Sequence, residues 1–578
     1  MLSNFRTRHP HWLSDLFFLT LTLGVFYLAW LGSYPLFTPD EGRYSEVARE
    51  MLVLHDYITP RLNGIVFLDK PILYYWLQAS AMKLFGINEW ALRLWPALFG
   101  LIGCLATYLA GRIIFNRRTA ILSTIILATS PLYFGASHYA NLDLEVAVLI
   151  SCTLLCFITA TQLTHFTQQR LCYLASFLFA GLAVLTKGLI GLAFPAMIIG
   201  SWIVLLWQWR LLKSIPFVSG TLLFMAVVLP WYLLAQQANP EFFHFFFVTQ
   251  QFTRFLSAAD FNNKTSFWFY FPIVIAGFLP WSAFIIQALS QHVMSTFKNR
   301  KTHQVELFIL LWLGLIFTFF SIPRSKTIGY ILPIFPALAL LVGHYLNLYW
   351  DHAKQNSMRY GMALVMTITF CAAILLLIFP RLHLLEIPSQ FQFYLSAFSI
   401  TFSLATVILY LTAQRSVTLL PTLLCIALVN VVFLLTLVSS ASTLNENTIK
   451  PLALELKSIL QPNDEIITYY KYYQDLPLYL EKRIAITADW AANDIANNDN
   501  WVRELWYGMN FRSSLDSSKW LINEDIFWQR WSQKKRVYVL LNKNYFDDFQ
   551  RKAQRHRYYQ ISQWRNTLLL SNRPAKTL

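Results

Sequence analysis

Residues 13–51, "LSDLFFLTLTLGVFYLAWLGSYPLFTPDEGRYSEVAREM", join a long apolar run to a densely charged segment. The apolar part, 13–32, is about as long as a helix that crosses the bilayer core, and no small-residue cleavage site follows it. We therefore expect a retained membrane anchor rather than a signal peptide. A retained first span places the charged segment at one face of a membrane.

The charged segment, residues 37–51, has the signals of a helix start. Thr38 followed three residues later by Glu41 is a capping box, and Pro39 suits the first helical position. Apolar side chains recur at helical spacing with charged side chains elsewhere. We expect an amphipathic helix that lies along the membrane surface.

The composition indicates a polytopic membrane protein. Of the 578 residues, 56% are hydrophobic and only 13% charged, and the mean hydropathy of +0.45 lies outside the range of ordinary soluble domains. The net charge of +16 could indicate nucleic acid, but the basic residues lie mostly in short loops instead of gathering beside base-stacking aromatics. We expect membrane lipids, and no nucleic acid, as partners.

Apolar runs of spanning length predict about thirteen transmembrane helices. They lie near 13–32, 91–114, 119–137, 142–163, 171–186, 188–207, 214–236, 266–289, 304–321, 327–350, 361–380, 393–413 and 418–440.

Alternate loops predict the orientation. One set holds Arg117, Arg118, Arg170, Arg210, Lys213, Lys298, Arg300, Lys301, Lys354, Arg359 and Arg415. The positive-inside rule assigns this set, and with it the N-terminus, to the cytoplasm. An odd number of spans then places the charged segment and the region after residue 440 on the outer side.

Two short outer loops carry cations against this bias: "LTKGL" with Lys187, and "SIPRSKTIGY" with Arg324 and Lys326. Cations kept on the disfavoured side suggest an anionic ligand there, with phosphate as the first candidate. The alternative is that their side chains snorkel to outer-leaflet headgroups.

From about residue 441 the sequence mixes polar and apolar residues. Short strand-like runs such as "DEIITYY", "KRIAIT", "RVYVLL" and "YYQISQW" alternate with helical patterns at 447–460, 522–533 and 543–554. The fold class we predict is therefore mainly α. It comprises a transmembrane domain over 1–440, with outer-face interfacial helices in 33–90 and 237–266, and an α/β domain over 441–578.

"FLDKPILYYW" contains a cation in an unusual place. Pro71 marks a helix start, and Lys70 would lie at the positive end of that helix, where a cation is unfavourable. A bound phosphate would reverse this, because helix N–H groups and a lysine ammonium both favour an anion. The alternative is a surface ion pair between Asp69 and Lys70.

Two further outer stretches contain candidate residues. In "SHYANLDLEVAV", Asp143 is either a second acid or an N-cap of the next helix, and we interpret His138 as a solvated loop histidine. In the aromatic loop 237–266, Phe242–Phe247 are typical of an interfacial belt, whereas Arg254 is a strong candidate ligand for an anion.

Several separated stretches resemble one family, the lipid A aminoarabinose transferases of the GT-C class of integral-membrane glycosyltransferases. They are "PDEGRYSEVAREM", "FLDKPILYYW", "YANLD", "LTKGLIGLAFP", "FFHFFFVTQQFTRF", "FWFYFPIVIAGFLPW" and "SKTIGYILP", in the order found in the family. The resemblance implies an undecaprenyl-phosphate-linked sugar donor, a lipid A acceptor and transfer at the periplasmic face of the bacterial inner membrane.

The resemblance also implies roles for particular residues. Asp40 looks like the essential acid and Asp143 like a second acid. Lys70, Arg254 and Tyr330 match positions that bind the lipid-linked phosphate in the family, and Arg43 and Lys187 are weaker additions. Asp69, Arg324 and Lys326 are additional candidates from their own positions in the outer loops, not from the resemblance.

The chain departs from the family where relatives are suggested to hold a metal. Asp69 stands where the family often has Glu, and Asn263 or Lys264 where it has His. A divalent metal is therefore not expected to be essential, and we predict no metal ligands. The same departures leave the sugar open.

Two other functions remain open at this stage. A transferase of the same class could act on another glycan, lipid or protein, as the mannosyltransferase relatives do. A polyprenyl-lipid transporter should place charges midway along its spans, whereas these charges crowd at the outer rim.

Overall fold

The structure is a computed structural model. It describes all residues except 1–10, 254–264, 352–355, 383–388, 416–417, 446, 493, 496–499, 512–516, 554–555 and 575–578. The side chains of 250–253, 381–382, 389–390 and 415 are also outside the description. Arg254, Asn263 and Lys264 therefore lie outside the described residues.

The chain folds into two compact units. The helical unit comprises Met1–Tyr34, Arg93–Pro230 and Thr265–Leu444. The mixed unit comprises Pro35–Leu92, Trp231–Lys264 and Asn445–Leu578, so it includes the charged segment together with the C-terminal region.

The helical unit accounts for the apolar runs. Within the described residues, nine helices are long and apolar enough to cross a membrane, or up to eleven if each of two bent pairs is one span. Two shorter apolar helices, Trp12–Leu28 and Ile190–Leu206, coincide with the remaining runs. The nine are Glu89–Ile114, Asp143–Gln162, Phe166–Lys187, Phe217–Ala238, Gln304–Ser321, Ile328–Leu348, Asn356–Ile378, Phe391–Gln414 and Leu420–Leu444.

The two bent pairs break at prolines. Arg117–Ala128 meets Pro131–Ser137 at 65°, and Phe267–Gly277 meets Trp281–Lys298 at 109°. Proline has no N–H group and cannot continue a helix, so each break leaves carbonyls without helical partners.

One buried amide serves both breaks. Asn430 donates from Nδ2 to the carbonyl oxygen of Thr129 at 2.5 Å and to that of Leu279 at 3.3 Å. The indole of Trp281 donates to the Thr129 hydroxyl at 2.9 Å. The broken segments are thus fastened to each other, as non-helical backbone at membrane depth requires.

The mixed unit contains every strand found in the described residues. β1 (Arg61–Leu62) and β2 (Ile65–Val66) form a short antiparallel pair. The C-terminal region adds a six-stranded sheet in the order β5-β4-β3-β6-β8-β7. Its strands are β3 (Glu465–Tyr469), β4 (Ala485–Thr487), β5 (Leu521–Ile522), β6 (Val537–Asn542), β7 (Tyr559–Trp564) and β8 (Thr567–Ser571).

β3, β4, β5 and β6 pair in parallel, whereas β8 pairs antiparallel with both β6 and β7. The central β6 is almost completely buried, as expected of a parallel strand covered on both faces. Helices of the unit are Asp40–Leu54, Leu73–Phe85, Lys450–Ile459, Leu476–Leu480, Trp501–Met509, Ser517–Trp520, Glu524–Trp531 and Phe546–Lys552, with a π-helix at His244–Thr253.

The charged segment forms a helix, and most of its charged side chains are buried within the unit instead of lying on an exposed face. In this charged helix, Asp40–Leu54, Glu46 and Arg49 are buried along with the apolar positions. Charged side chains can be buried only when they are paired. Glu46 and Arg49 pair with each other, whereas Arg43 and Glu50 have partners in the C-terminal region of the same unit. The capping box forms in part: Glu41 accepts from the Phe37 N–H at 2.7 Å, while Thr38 makes no cap bond.

Candidate active site

Two consecutive helices of the helical unit bring an acid and a base together. Asp143 is the first residue of Asp143–Gln162, and Lys187 is the last residue of Phe166–Lys187. Because a three-residue link makes the helices antiparallel neighbours, these end residues meet. Lys187 forms an ion pair with Asp143, with the two side chains 11% and 15% exposed. Each charge also complements the dipole of its own helix.

An aromatic ring completes this cluster. The Lys187 ammonium lies 4.2 Å from the ring centroid of Tyr330, within the range of a cation–π contact. Gly329 makes the approach possible, since a Cβ atom there would lie 2.2 Å from Asp143 Oδ2. Asp143, Lys187 and Tyr330, predicted separately, are therefore brought together; we call them the helical-unit cluster.

The loop before Tyr330 is fastened at several points. The Lys326 ammonium, only 4% exposed, donates to the carbonyl of Ser266 at 3.0 Å. Thr265 donates to the carbonyl of Arg324 from its amide and its hydroxyl, at 2.9 and 2.8 Å. Burial lowers the pKa of Lys326. This cation therefore fastens the loop, whereas Arg324 remains exposed.

The interpretation of His138 as a solvated histidine was wrong. Its side chain is 3% exposed, with Nδ1 3.1 Å from the carbonyl of Phe134 and Nε2 3.2 Å from that of Ala29. The ring also packs against the Phe134 ring. His138 is a satisfied core residue because its loop is covered by neighbouring helices.

In the mixed unit, Asp40 is part of a second cluster. Arg43, one turn along the charged helix, donates from Nη2 to Asp40 at 2.5 Å and from Nη1 to Glu504. Burial opposes the charge on Arg43, but Glu504 and Asp40 outweigh it and hold the pKa of Arg43 well above its usual value. Arg43 thus links Asp40 to a residue of the C-terminal region, and we call these three residues the mixed-unit cluster.

Further ion pairs position the charged helix. Arg49 makes a bidentate contact with Glu46, with both bonds at 2.7 Å. Arg483 makes another with Glu50, at 2.7 and 2.6 Å. Bidentate guanidinium–carboxylate pairs fix direction as well as distance. The Arg483–Glu50 pair anchors the helix that carries Asp40 to the C-terminal region of the unit, whereas the Arg49–Glu46 pair lies within the helix.

A close backbone contact sets how near the charged helix lies to the chain around Asp475. A Cβ atom on Gly42 would lie 2.6 Å from the backbone nitrogen of Asp475. Asp475 is fully buried and accepts through Oδ2 from the Ile449 N–H at 3.1 Å. Burial raises the pKa of Asp475 to about 7.

Lys70 and Asp69 also belong to the mixed unit. The helix after them begins at Leu73 with Ile72 as N-cap, so Pro71 does not occupy its first turn. Lys70 is therefore three residues before the helix, further from its N-terminus than predicted. Asp69 is 9% exposed, and the nearby Tyr44, Tyr74 and Tyr75 rings pack together with centroids 5.8 to 6.2 Å apart.

Sequence reasoning missed Glu504 and Arg483. They follow Asp40 and Glu50 by more than 400 residues, beyond the reach of local patterns. One signal was available: the charged helix has four carboxylates and only two arginines, which favours a basic partner elsewhere.

Among the described residues, no group of three or more His, Cys, Asp or Glu side chains is arranged in space to hold a metal ion.

Comparisons with known proteins agree on one group of enzymes. A family model described as dolichyl-phosphate-mannose-protein mannosyltransferase matches residues 69–233. The undecaprenyl phosphate-alpha-4-amino-4-deoxy-L-arabinose arabinosyl transferase of Erwinia tasmaniensis is 32% identical over 328 residues, 56% of this chain and 58% of that protein. Its namesake from Aeromonas hydrophila is 33% identical over 335 residues, 57% and 59% of the two chains.

Among solved structures, the crystal structure of ArnT from Cupriavidus metallidurans bound to undecaprenyl phosphate is similar over 97% of this chain and 98% of that one. Its TM-score is 0.82 at 25% identity. The fold is therefore that of the GT-C class of integral-membrane glycosyltransferases.

Within this class, the chain is similar to the aminoarabinose transferases, in agreement with the resemblance found in its motifs. Its sequence alignments with the curated relatives span less than two thirds of their length.

Proposed function

We propose that this protein is a glycosyltransferase that moves a sugar, aminoarabinose, from undecaprenyl phosphate to lipid A at the periplasmic face of the bacterial inner membrane. The observation that supports the proposal is the similarity, over 97% of the chain, to the structure of ArnT bound to undecaprenyl phosphate. The names of the curated relatives support the same donor and sugar.

The first part of the mechanism is capture of the donor phosphate. Lys70, Arg254 and Tyr330 bind it, although Arg254 lies outside the described residues. When the bond between the anomeric carbon and the phosphate oxygen breaks, negative charge accumulates on the departing phosphate. The donor is a singly charged phosphodiester, and the departing phosphate monoester carries one more negative charge. Cations that bind the monoester more tightly than the diester lower the barrier, so no nucleotide is needed.

Asp40 acts at the acceptor. The acceptor oxygen attacks the anomeric carbon from the face opposite the phosphate, and Asp40 either takes its proton or orients it and stabilises positive character at the carbon. A lipid A phosphate oxygen is already largely ionised, so orientation would then be the main task. The contact with Arg43 keeps Asp40 in one direction.

Asp143, the second acid, acts through the helical-unit cluster. Its ion pair keeps the Lys187 ammonium against the Tyr330 ring. Tyr330 is thereby positioned for the donor phosphate. Residues of this cluster lie at helix ends, whereas a transporter should have its charges midway along the spans.

A second candidate function has one specific observation in its favour. The mannosyltransferase family model matches residues 69–233, which include Lys70, Asp143 and Lys187. Transfer of another polyprenyl-phosphate-linked sugar to a glycan, lipid or protein uses the same chemistry and differs only in donor sugar and acceptor.

Mass spectrometry of lipid A from cells with and without the protein tests the first candidate. We expect the mass of one added aminoarabinose only when the protein is present. An unmodified lipid A beside an active purified enzyme would favour the second candidate.

The role of Asp40 is tested with Asp40→Asn, which should abolish transfer while leaving expression unchanged. Asp547→Asn is the matched control, because Asp547 also lies in the first turn of a helix and is exposed. A carboxylate that serves only the helix dipole contributes about 0.3–1 kcal/mol to stability and nothing to turnover. Near-normal turnover of purified Asp40→Asn protein would leave Asp40 with that role alone.

A further inference from the structure

A cavity of about 400 Å³ opens in the helical unit, away from both clusters in sequence. Its lining consists of Val204, Leu205, Leu206, Trp207, Arg300 and Lys301. The first four residues are the end of the helix Ile190–Leu206 and its C-cap, and the two cations precede the helix Gln304–Ser321. One wall is therefore aliphatic and aromatic, and the other is cationic.

The two walls are fastened to each other. The buried Trp202 donates from its indole to the carbonyl of Gln304 at 2.8 Å, and Gln208 donates to the Gln304 side chain at 2.9 Å. Gln304 in turn donates to the carbonyl of Lys301 at 2.8 Å. The shape of the cavity is therefore fixed in part by hydrogen bonds between its two walls, and not only by exposed side chains.

The cationic wall has no internal counter-charge. Within the part of the chain that the structure describes, neither Arg300 nor Lys301 forms an ion pair, and both are exposed. Arg43, Arg49 and Lys187, in contrast, all have carboxylate partners. Two unpaired cations beside one cavity favour an anionic occupant.

The other wall selects an occupant with apolar chains. Trp207 is 76% exposed and Val204 49% exposed. Trp207 has a left-handed backbone conformation with φ of 58°, and its ring lies edge-on to that of Trp209 at 6.0 Å. Exposed indoles next to aliphatic side chains are typical of the membrane–water interface.

We propose that this cavity is a binding site for one anionic phospholipid, with its phosphodiester between Arg300 and Lys301 and an acyl chain along Val204 and Leu205. Basic pockets beside transmembrane helices on the cytoplasmic side suit such headgroups. The positive-inside pattern assigns both segments to that side. A soluble anion would leave the aliphatic wall and Trp207 in water, and a neutral lipid would leave the two cations unpaired.

Native mass spectrometry of the full chain in detergent, titrated with palmitoyl-oleoyl phosphatidylglycerol, tests the site. We expect one tightly retained lipid, with about 10- to 30-fold weaker binding in the double variant Arg300→Ala/Lys301→Ala. Phosphatidylcholine should bind the wild type and the double variant equally weakly.

The control is Arg170→Ala/Arg359→Ala, which removes two exposed arginines near the starts of the helices Phe166–Lys187 and Asn356–Ile378, assigned to the same side but outside the cavity. It should bind phosphatidylglycerol within about twofold of the wild type. Val204→Glu tests the aliphatic wall separately, because a carboxylate at this exposed position should expel an anionic lipid.

Three results would overturn the proposal. Equal weakening in the Arg170/Arg359 control would mean a general charge effect. Unchanged binding in both the double variant and Val204→Glu would place the lipid elsewhere. Competition by glycerol phosphate at concentrations similar to those of the lipid would identify a site for free anions instead.

Discussion

Asp143 and Lys187 show how a cation can be kept on a disfavoured side of the membrane. In the proposed topology Lys187 is on the outer side, where positive charge is uncommon. Its ion pair with Asp143 neutralises it inside the protein. Lys187 alone is thus weak evidence for an anionic ligand. Its contact with Tyr330 is the better evidence for a functional role, because it positions a residue proposed to bind the donor phosphate.

The mixed-unit cluster yields a prediction about Glu504. Arg43 is shared between Asp40 and Glu504, so removing the second charge should let Arg43 swing toward Asp40 and misplace the proposed acid. We expect Glu504→Gln to lower kcat about 10- to 100-fold with little change in KM for the donor. Partial rescue by Glu504→Asp would support a positioning role.

Glu481→Gln is the control for this variant, because Glu481 forms an exposed ion pair with Lys457 in the same unit. Exposed pairs contribute little. A loss of activity in Glu481→Gln as large as in Glu504→Gln would contradict the proposed link to Asp40.

Asp475 should make stability depend on pH. Its pKa is about 7 in the folded state because of burial, against 3.8 for an ordinary aspartate. Between these values the folded state binds more protons than the unfolded one, so the unfolding free energy falls as pH rises. The contribution is complete below pH 3.8 and is lost as pH passes 7.

Asp475→Asn removes this titration and keeps an oxygen acceptor for the Ile449 N–H. Between pH 5.5 and 8 in detergent, we expect the thermal unfolding midpoint of the wild type to fall more than that of the variant. Exposed Asp525→Asn should behave like the wild type. Parallel pH profiles for wild type and Asp475→Asn would contradict a buried, titrating Asp475.

At the scale of elements, periodicity predicted most of the fold. Each of the thirteen apolar runs has a helical counterpart, and the four quoted strand patterns contain β3, β4, β7 and all of β6 except Asn542. β5 has only two residues and β8 follows a tight turn, so neither produced a clear alternating pattern.

Periodicity did not predict the tertiary contacts of each element. The sequence correctly predicted that the charged segment is a helix. It could not predict what buries this helix, because its partners Arg483 and Glu504 follow it by more than 400 residues. In the helical-unit cluster, sequence supplied each residue but not the ion pair. A sequence pattern can show that a buried charge requires a partner, but only the tertiary structure shows which residue is that partner.

Gly42 tests the packing of the charged helix as an element. The atoms that a Cβ would meet are backbone atoms of Gln474 and Asp475, which cannot rotate away. Gly42→Ala should therefore shift the helix, lower stability by about 1–3 kcal/mol and reduce transfer. Gly314→Ala is the control, because Gly314 has open space around its Cα and alanine favours the helix. An unaffected Gly42→Ala protein would mean that this contact does not set the helix position.

At the scale of the whole molecule, four cations assigned to opposite sides of the membrane differ in whether the protein itself supplies a partner. Lys187 and Lys326, in the proposed outer loops, bind a carboxylate and a carbonyl of the protein. Arg300 and Lys301, in a proposed cytoplasmic loop, form no ion pair among the described residues. The contrast does not extend to every basic residue, since Arg117 on the proposed cytoplasmic side pairs with Asp15 and Arg324 on the proposed outer side is exposed. The number of basic residues on each side, and not their pairing, therefore sets the orientation.

The distribution of basic residues between alternate loops predicts the orientation of the chain. If each bent pair and each short apolar helix crosses once, the described helices make an odd number of crossings, and the two ends of the chain lie on opposite sides. Alkaline phosphatase fused after Leu578 should then be active, while a fusion after Arg300 should be inactive and the corresponding green fluorescent protein fusion bright. Alkaline phosphatase is active only in the periplasm, and green fluorescent protein is bright only in the cytoplasm. A poorly expressed fusion would give neither signal and could not be mistaken for the expected pattern. A fluorescent fusion after Leu578 would reverse the topology, move Asp40 and Asp143 to the cytoplasmic face and remove the basis for transfer to lipid A in the periplasm.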